Sequence, residues 1–294
     1  MNALALTDTL AVSQFRNEVD FLLMCQHVNC VYCLGWGIRE DETRFLVLEF
    51  VQGGDLRHAL KTHGDMFDSQ TCLSVIRDVA CGLDYLLQQF HRSHSDLKPD
   101  NILIDFEYSP PRGVCTDFGS LRLQAESAQP RRRKTLYTRS KDTSDLDELL
   151  LGTEFEGHCE VYDSLPYAPG SPLYMSPEIM HVERFVIESV TPSSDAWALG
   201  VIMFELVHRV LPDLLALHHC ETGGPVSYRF RETHLLLDQG KTLWNAPGIE
   251  PAIDVDNAAG RELVRLSQAC LQLVPEYRPT FGAILQAFER LCEQ

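Results

Sequence analysis

The sequence predicts an α+β fold with a small front part and a larger, mainly helical part. Three observations point there. Between Asp68 and Phe90 the apolar residues Leu73, Ile76, Val79, Leu83, Leu86 and Leu87 recur every three or four positions, the period of a helix with one buried face. Ala196 to Val207 is almost uniformly apolar, which suits a helix buried on all sides, and it is too short and too interrupted by Glu205 to cross a bilayer. Short apolar runs at 31–38, 44–51, 102–104 and 114–115, bounded by turn residues, read as strands.

In chain order, Phe15, Arg16, Asn17 and Glu18 with Phe21, Leu22 and Leu23 read as a helix with one apolar face. Two strands follow, Val31 to Ile38 and Arg44 to Val51, and then Gln52-Gly53-Gly54-Asp55-Leu56 turns into a short helix. Asp68-Ser69 offers a cap to the long periodic helix. Gln124 to Tyr167 is polar and without sustained period, so it reads as an inserted loop. Its basic run Arg131-Arg132-Arg133-Lys134 is read as a solvated charge run, with a nuclear signal or a phosphorylation site at Thr135 as rivals. Leu149-Leu150-Leu151 suits one helical turn. Two helices, near Arg261 to Leu273 and Phe281 to Leu291, close the chain.

A chain of 294 residues is long enough for one large domain or two lobes around a sizeable core. Its formal net charge of -17 argues against nucleic acid and anionic membrane as partners and would sooner attract a basic peptide. Ten cysteines without framework spacing and no secretory signal suggest a reducing compartment, cytoplasmic or nuclear. Cys25, His27, Cys30 and Cys33 are close enough to raise zinc, yet only Cys30 and Cys33 have the two-residue spacing of a ligand knuckle.

The chemistry is concentrated in His94-Ser95-Asp96-Leu97-Lys98-Pro99-Asp100-Asn101 and, after a short hairpin, Asp117-Phe118-Gly119. Two acids, an amide and a lysine beside short strands are the groups phosphoryl transfer requires. It needs oxygen ligands for magnesium, a carboxylate to orient a hydroxyl and a cation for the migrating charge. The two motifs in this order resemble the catalytic loop and metal-binding loop of the eukaryotic protein kinase family, serine/threonine type.

The resemblance runs from Glu18 to Leu291 and implies a kinase-like fold using ATP and Mg, with protein as the second substrate. It implies a cut-down small lobe over 1–51, with one helix and two strands, and an intact mainly helical large lobe over 52–294. A long activation segment would be inserted at about 120–168. Asp96 would orient the substrate hydroxyl, Lys98 would neutralise the phosphoryl group, and Asn101 and Asp117 would hold the metal. Ser171, in Gly170-Ser171-Pro172, would join Asp96 and Lys98. Glu49, Phe50 and Val51 would take the adenine edge, with Leu48 behind the pocket, Leu103 beneath and Asp55 at the rim.

Glu178 would pair with Arg278, and Asp195 would anchor the catalytic loop. Leu22, Cys33, His94 and Phe118 would stack into a column. Asp55, Asp100 and Glu205 stand where some members of the family collect arginines, which implies a basic substrate. Ser95 replaces the arginine that clamps an activating phosphate. Residues 1–17 contain neither glycine nor lysine, so the family's Gly-rich loop and strand lysine are missing there and Glu18 lacks its partner. Weak activity of the chain alone follows from that pattern. So does an alternative, a pseudokinase acting as a binding scaffold, with a protein partner covering the exposed edge of the small lobe.

Overall fold

A computed structural model describes residues 15–16, 18–41, 43–123, 172–180, 191–220, 222–223 and 226–292. Helix α1 covers 18–24, continuing the turn at 15–16, and leads to the antiparallel pair β1 (Cys33–Ile38) and β2 (Arg44–Leu48). Next come α2 (Leu56–Thr62), α3 (Ser69–Phe90), β3 (Arg92–Ser93), β4 (Ile102–Asp105), β5 (Arg112–Cys115) and β6 (Arg122–Leu123). The rear consists of α4 (Pro177–Met180), α5 (Pro192–His208), α6 (Leu214–Leu217), α7 (Val226–Asp238), α8 (Ala258–Cys270) and α9 (Phe281–Cys292). The strands form three two-stranded antiparallel sheets, β1-β2, β3-β6 and β4-β5.

The long helices start where side chains satisfy orphan amides. Asp68 accepts from the Thr71 N–H at 2.8 Å at the head of α3, and Asn257 accepts from the Gly260 N–H at 2.8 Å at the head of α8. Thr191 and Ser194 cap α5 reciprocally, with Pro192 in its first turn. Helix α5 is buried along nearly its whole length; α3 and α8 pack against it, and α9 packs against α3 and α8. At Gly200 an added Cβ would lie 2.7 Å from the Cys270 Cβ, so glycine is what lets α5 and α8 approach this closely.

Phe67, Ile76, Leu83, Ile102, Ile104, Leu199, Ile202 and Phe204 are fully buried and belong to one core. Each such side chain contributes about 1.5–3 kcal/mol by leaving water. The front sheet differs: Leu34, Trp36 and Ile38 on β1 are 69%, 50% and 56% exposed. Cys25 and Cys30 are core residues, and His27 stacks on Tyr85 at 4.7 Å while accepting from the Asn29 N–H. That histidine organises the turn after α1. Among the described residues no helix is long and apolar enough to cross a membrane. Gln124 to Tyr167, with the basic run, Thr135 and Leu149 to Leu151, lies outside the described residues.

Candidate active site

The loop after β3 is fixed from below by Asp195, which is 2% exposed near the start of α5. Its Oδ2 accepts from the His94 N–H at 2.6 Å and its Oδ1 from the Ser95 N–H at 2.9 Å. Burial pushes the Asp195 carboxyl above the usual range, against the charge of His94 and these two hydrogen bonds. The two loops are then tied to each other. His94 Nε2 meets the Thr116 carbonyl at 2.9 Å, and the Thr116 N–H donates to the Asn101 carbonyl at 3.0 Å. Among the described non-glycine residues in the left-handed region, His91 and Arg209 end helices and His219 follows one. The others, Ser95 (φ 72°) and Asp117 (φ 61°), occupy the two motif loops, where local strain is held by the surrounding hydrogen bonds.

Asp96, Lys98 and Asn101 form one group. Lys98 Nζ donates to Asp96 Oδ2 at 2.8 Å, and Asn101 Nδ2 donates to the Asp96 carbonyl at 2.8 Å and to its Oδ2 at 3.3 Å. With the amide nitrogen engaged on Asp96, the Oδ1 of Asn101 is the face left to accept. Asp117 is exposed beside it in sequence order of the hairpin, and its Oδ1 lies 3.5 Å from where a Cβ on Gly119 would stand. The Glu18 carboxylate reaches the same point, at 3.7 and 3.8 Å. Burial, and then the charge of Asp117, push the Glu18 carboxyl above its ordinary range. Among the described residues no lysine or arginine pairs with either acid. Carboxylate and amide oxygens are hard donors, of the kind magnesium takes.

The segment after β2 folds onto the hairpin. The Gly53 N–H donates to the Ile104 carbonyl at 3.0 Å and the Ile104 N–H to the Gly54 carbonyl at 2.9 Å. A Cβ on Gly53 would sit 2.2 Å from the Ile104 oxygen, so only glycine passes there. Asp55 bridges to Leu103 through the backbone and spends its side chain capping α2 on the His58 N–H at 2.8 Å. Glu49 uses its N–H on the Tyr32 carbonyl, at 2.9 Å. Its own carbonyl and the N–H of the buried Val51 take no hydrogen bond among the described residues, which leaves one acceptor and one donor on this edge. Leu48 and Leu103 are half-buried nearby in the chain path.

Away from the cleft, Arg278 makes a two-pronged contact with Glu178, 2.7 Å on each arm, and lies over the Trp197 ring at 5.0 Å. Burial raises the Glu178 carboxyl, but the hydrogen bonds and charge of Arg278 outweigh it and the net shift is downward. His94 and Phe118 have ring centroids 5.7 Å apart. The ring set edge-on against Phe118, at 5.3 Å, is that of Phe21; Leu22 is buried on the same helix, and Cys33 is half-buried at the start of β1. Ser171 lies outside the described residues.

Asp100 and Glu205, expected beside a basic substrate, are both in contact with Arg57 of α2. Arg57, Tyr174, Thr116 and Phe21 carry contacts at this site that the sequence does not signal, since each is an ordinary residue for its element and meets partners far along the chain.

With this geometry in place, comparison with known proteins shows what the chain is similar to. Residues 4–143 match the family model described as the protein kinase domain. A probable LRR receptor-like serine/threonine-protein kinase of Arabidopsis thaliana is 23% identical over 287 residues, covering 94% of this chain and 27% of the relative. Serine/threonine-protein kinase A-Raf of Mus musculus is 24% identical over 277 residues, covering 94% of this chain and 36% of the relative. Serine/threonine-protein kinase ATG1a of Arabidopsis thaliana is 28% identical over 190 residues, covering 65% of this chain and 24% of the relative. The chain therefore spans about a quarter to a little over a third of the length of these curated relatives. Distant serine/threonine kinases are similar to it over most of its length, and its mixed fold, mainly helical with small antiparallel sheets, is consistent with theirs.

Proposed function

We propose that this chain is a serine/threonine protein kinase domain, with Asp96, Lys98, Asn101 and Asp117 as its working groups. The observation that carries the reading is the convergence of Asp96, Lys98 and Asn101 within hydrogen-bond distance, in a loop pinned by Asp195 and tied through Thr116 to the strand that delivers Asp117. Asn101 and Asp117 would hold magnesium, which when bound neutralises charge on the nucleotide phosphates. Glu49 and Val51 offer ATP a backbone acceptor and donor, with Leu103 as an apolar floor. Asp55 serves the site indirectly, by starting α2 under that edge.

In the reaction, the substrate hydroxyl oxygen forms a bond to the γ-phosphorus while the bond to the β–γ bridging oxygen breaks. ADP leaves with that electron pair, and the hydroxyl proton passes to the Asp96 carboxylate. Lys98, held 2.8 Å from Asp96, stabilises the charge on the transferring group. Ser171 joins this pair in the proposed scheme. Glu178, Arg278, Asp195, His94 and Phe118 support the site without touching the reactants.

A second reading, a binding scaffold without turnover, draws support from the front of the molecule. Glu18 faces Asp117 with no cation among the described residues, and β1 presents Leu34, Trp36 and Ile38 to solvent, a surface that suits a protein partner. Transfer of labelled γ-phosphate to serine or threonine peptides separates the two. Catalysis predicts turnover that falls about 10²–10⁴-fold in Asp96→Ala, the range for removing a general base. No transfer by the wild type, or transfer unchanged in Asp96→Ala, contradicts it.

A further inference from the structure

Arg57 joins three side chains from three separate parts of the chain through one guanidinium. Its Nε lies 3.2 and 3.1 Å from the two carboxylate oxygens of Asp100, its Nη1 donates to Glu205 Oε1 at 2.7 Å, and its Nη2 donates to the Tyr174 hydroxyl at 2.7 Å. Tyr174 in turn donates to Glu205 Oε2 at 2.5 Å. One guanidinium thus joins α2, the catalytic loop, the turn before α4 and the central helix α5. Glu205 is 6% exposed, whereas the Asp100 side chain is 47% exposed, so the cluster opens to solvent on the Asp100 side. Burial works against the charge of Arg57, but the hydrogen bonds to Asp100 and Tyr174 prevail and its pKa is raised. Burial likewise raises the Glu205 carboxyl, and Tyr174 and Arg57 oppose that shift.

We propose that Arg57 is a specificity-determining residue: its guanidinium fills, from within the chain, the place in which Asp100, Glu205 and Tyr174 would receive an arginine of a bound peptide. As peptide specificity, this rests on the kinase reading above; as a statement about what the cluster binds, it does not. A planar fork is the group that meets several acceptors at fixed angles, and here it already does so. Both Glu205 oxygens are taken, one by Arg57 and one by Tyr174. A second guanidinium could reach Glu205 only by sharing oxygens that Arg57 and Tyr174 already engage, and otherwise finds the exposed side of Asp100, where solvent and salt weaken the attraction. The acidic chain is thereby kept from selecting arginine-bearing partners at this point.

The test compares two serine peptides identical except that arginines upstream of the serine are replaced by citrulline, which keeps the shape and removes the charge. Binding is read by fluorescence anisotropy without nucleotide, on the whole chain, for wild type and Arg57→Ala. The wild type is expected to bind the two within about twofold, and Arg57→Ala to favour the arginine peptide at least about tenfold, the scale of one charge-assisted hydrogen bond. General damage to the fold weakens both peptides alike and leaves their ratio unchanged, so the ratio reports specificity alone.

A wild type that already favours the arginine peptide tenfold overturns the proposal, as does a folded Arg57→Ala whose ratio stays near one. If Arg57→Ala does not fold, Arg57→Lys decides. An ammonium is a compact point charge without the planar fork that spans these partners, so a gain of about threefold is expected and an unchanged ratio overturns the idea. Failure of phosphoryl transfer in either protein would speak against the catalytic reading and leave this ratio standing.

Discussion

The rear of the molecule and its front handle buried charge in opposite ways. In the rear, Glu178 is met by Arg278, Asp195 by two backbone amides and Glu205 by Arg57 and Tyr174. At the front, Glu18 is partly buried against Asp117, acid against acid, and both carboxylates approach the same space above Gly119. The apolar surface divides the same way: α5 is buried on all sides, while β1 shows Leu34, Trp36 and Ile38 to solvent. In the large helical part the buried acids Glu178, Asp195 and Glu205 each meet donors from the chain itself. On the proposed function, the cleft in front of it gains its balance when a cation arrives with a ligand.

The contrast can be broken most forcefully from the rear. Arg278→Met strands the Glu178 carboxylate, and the urea midpoint is expected to report a loss of about 3–5 kcal/mol, the cost of removing one partner of a buried pair. The loss is pH-dependent. The Glu178 carboxyl is lowered in the fold, so the pair's contribution is complete above the ordinary carboxylate value and fades as pH falls through the lowered one. The gap between variant and wild type is therefore largest near neutral pH and narrows in acid. A gap that stays constant, or widens in acid, contradicts the pairing.

Asp195→Ala is of similar size. It leaves the backbone amides of His94 and Ser95 without acceptors, at about 1–3 kcal/mol each, and amide hydrogen exchange at both should accelerate. Unchanged protection of both amides would show that something other than Asp195 holds the loop. The smallest effect lies at the front. Glu18→Gln removes an acid that burial and Asp117 both disfavour in its charged form, so thermal melting without divalent cations is expected to show a gain. Because the side chain is only partly buried, the gain is about 0.5 kcal/mol or less. A clear loss would mean that Glu18 has a cation partner after all.

Much of the rear was legible from sequence because its signals are local. The three-and-four spacing of Leu73 to Leu87 marks α3, and Asp68 caps it as its position suggests. The apolar run that marks α5 begins at Ala196, but the helix starts at Pro192, since its first turn is polar and is fixed by the Thr191 and Ser194 cap. The strand expected through Val51 ends at Leu48, because Glu49 turns to bond Tyr32 and the chain leaves the sheet for the hairpin. Asp96, Lys98 and Asn101 are legible together because they fall within six positions. Arg57 is not, since its partners are 43, 117 and 148 positions away and nothing about an arginine in a short helix announces them.

The central claim is that the acids and amide at the front of the cleft are completed by magnesium and nucleotide. Isothermal titration of ATP into the chain, with and without magnesium, for wild type and Asp117→Ala, tests it directly. Binding that requires magnesium and is lost in Asp117→Ala is the predicted result. Binding that is indifferent to magnesium, or equally strong without the Asp117 carboxylate, would contradict it.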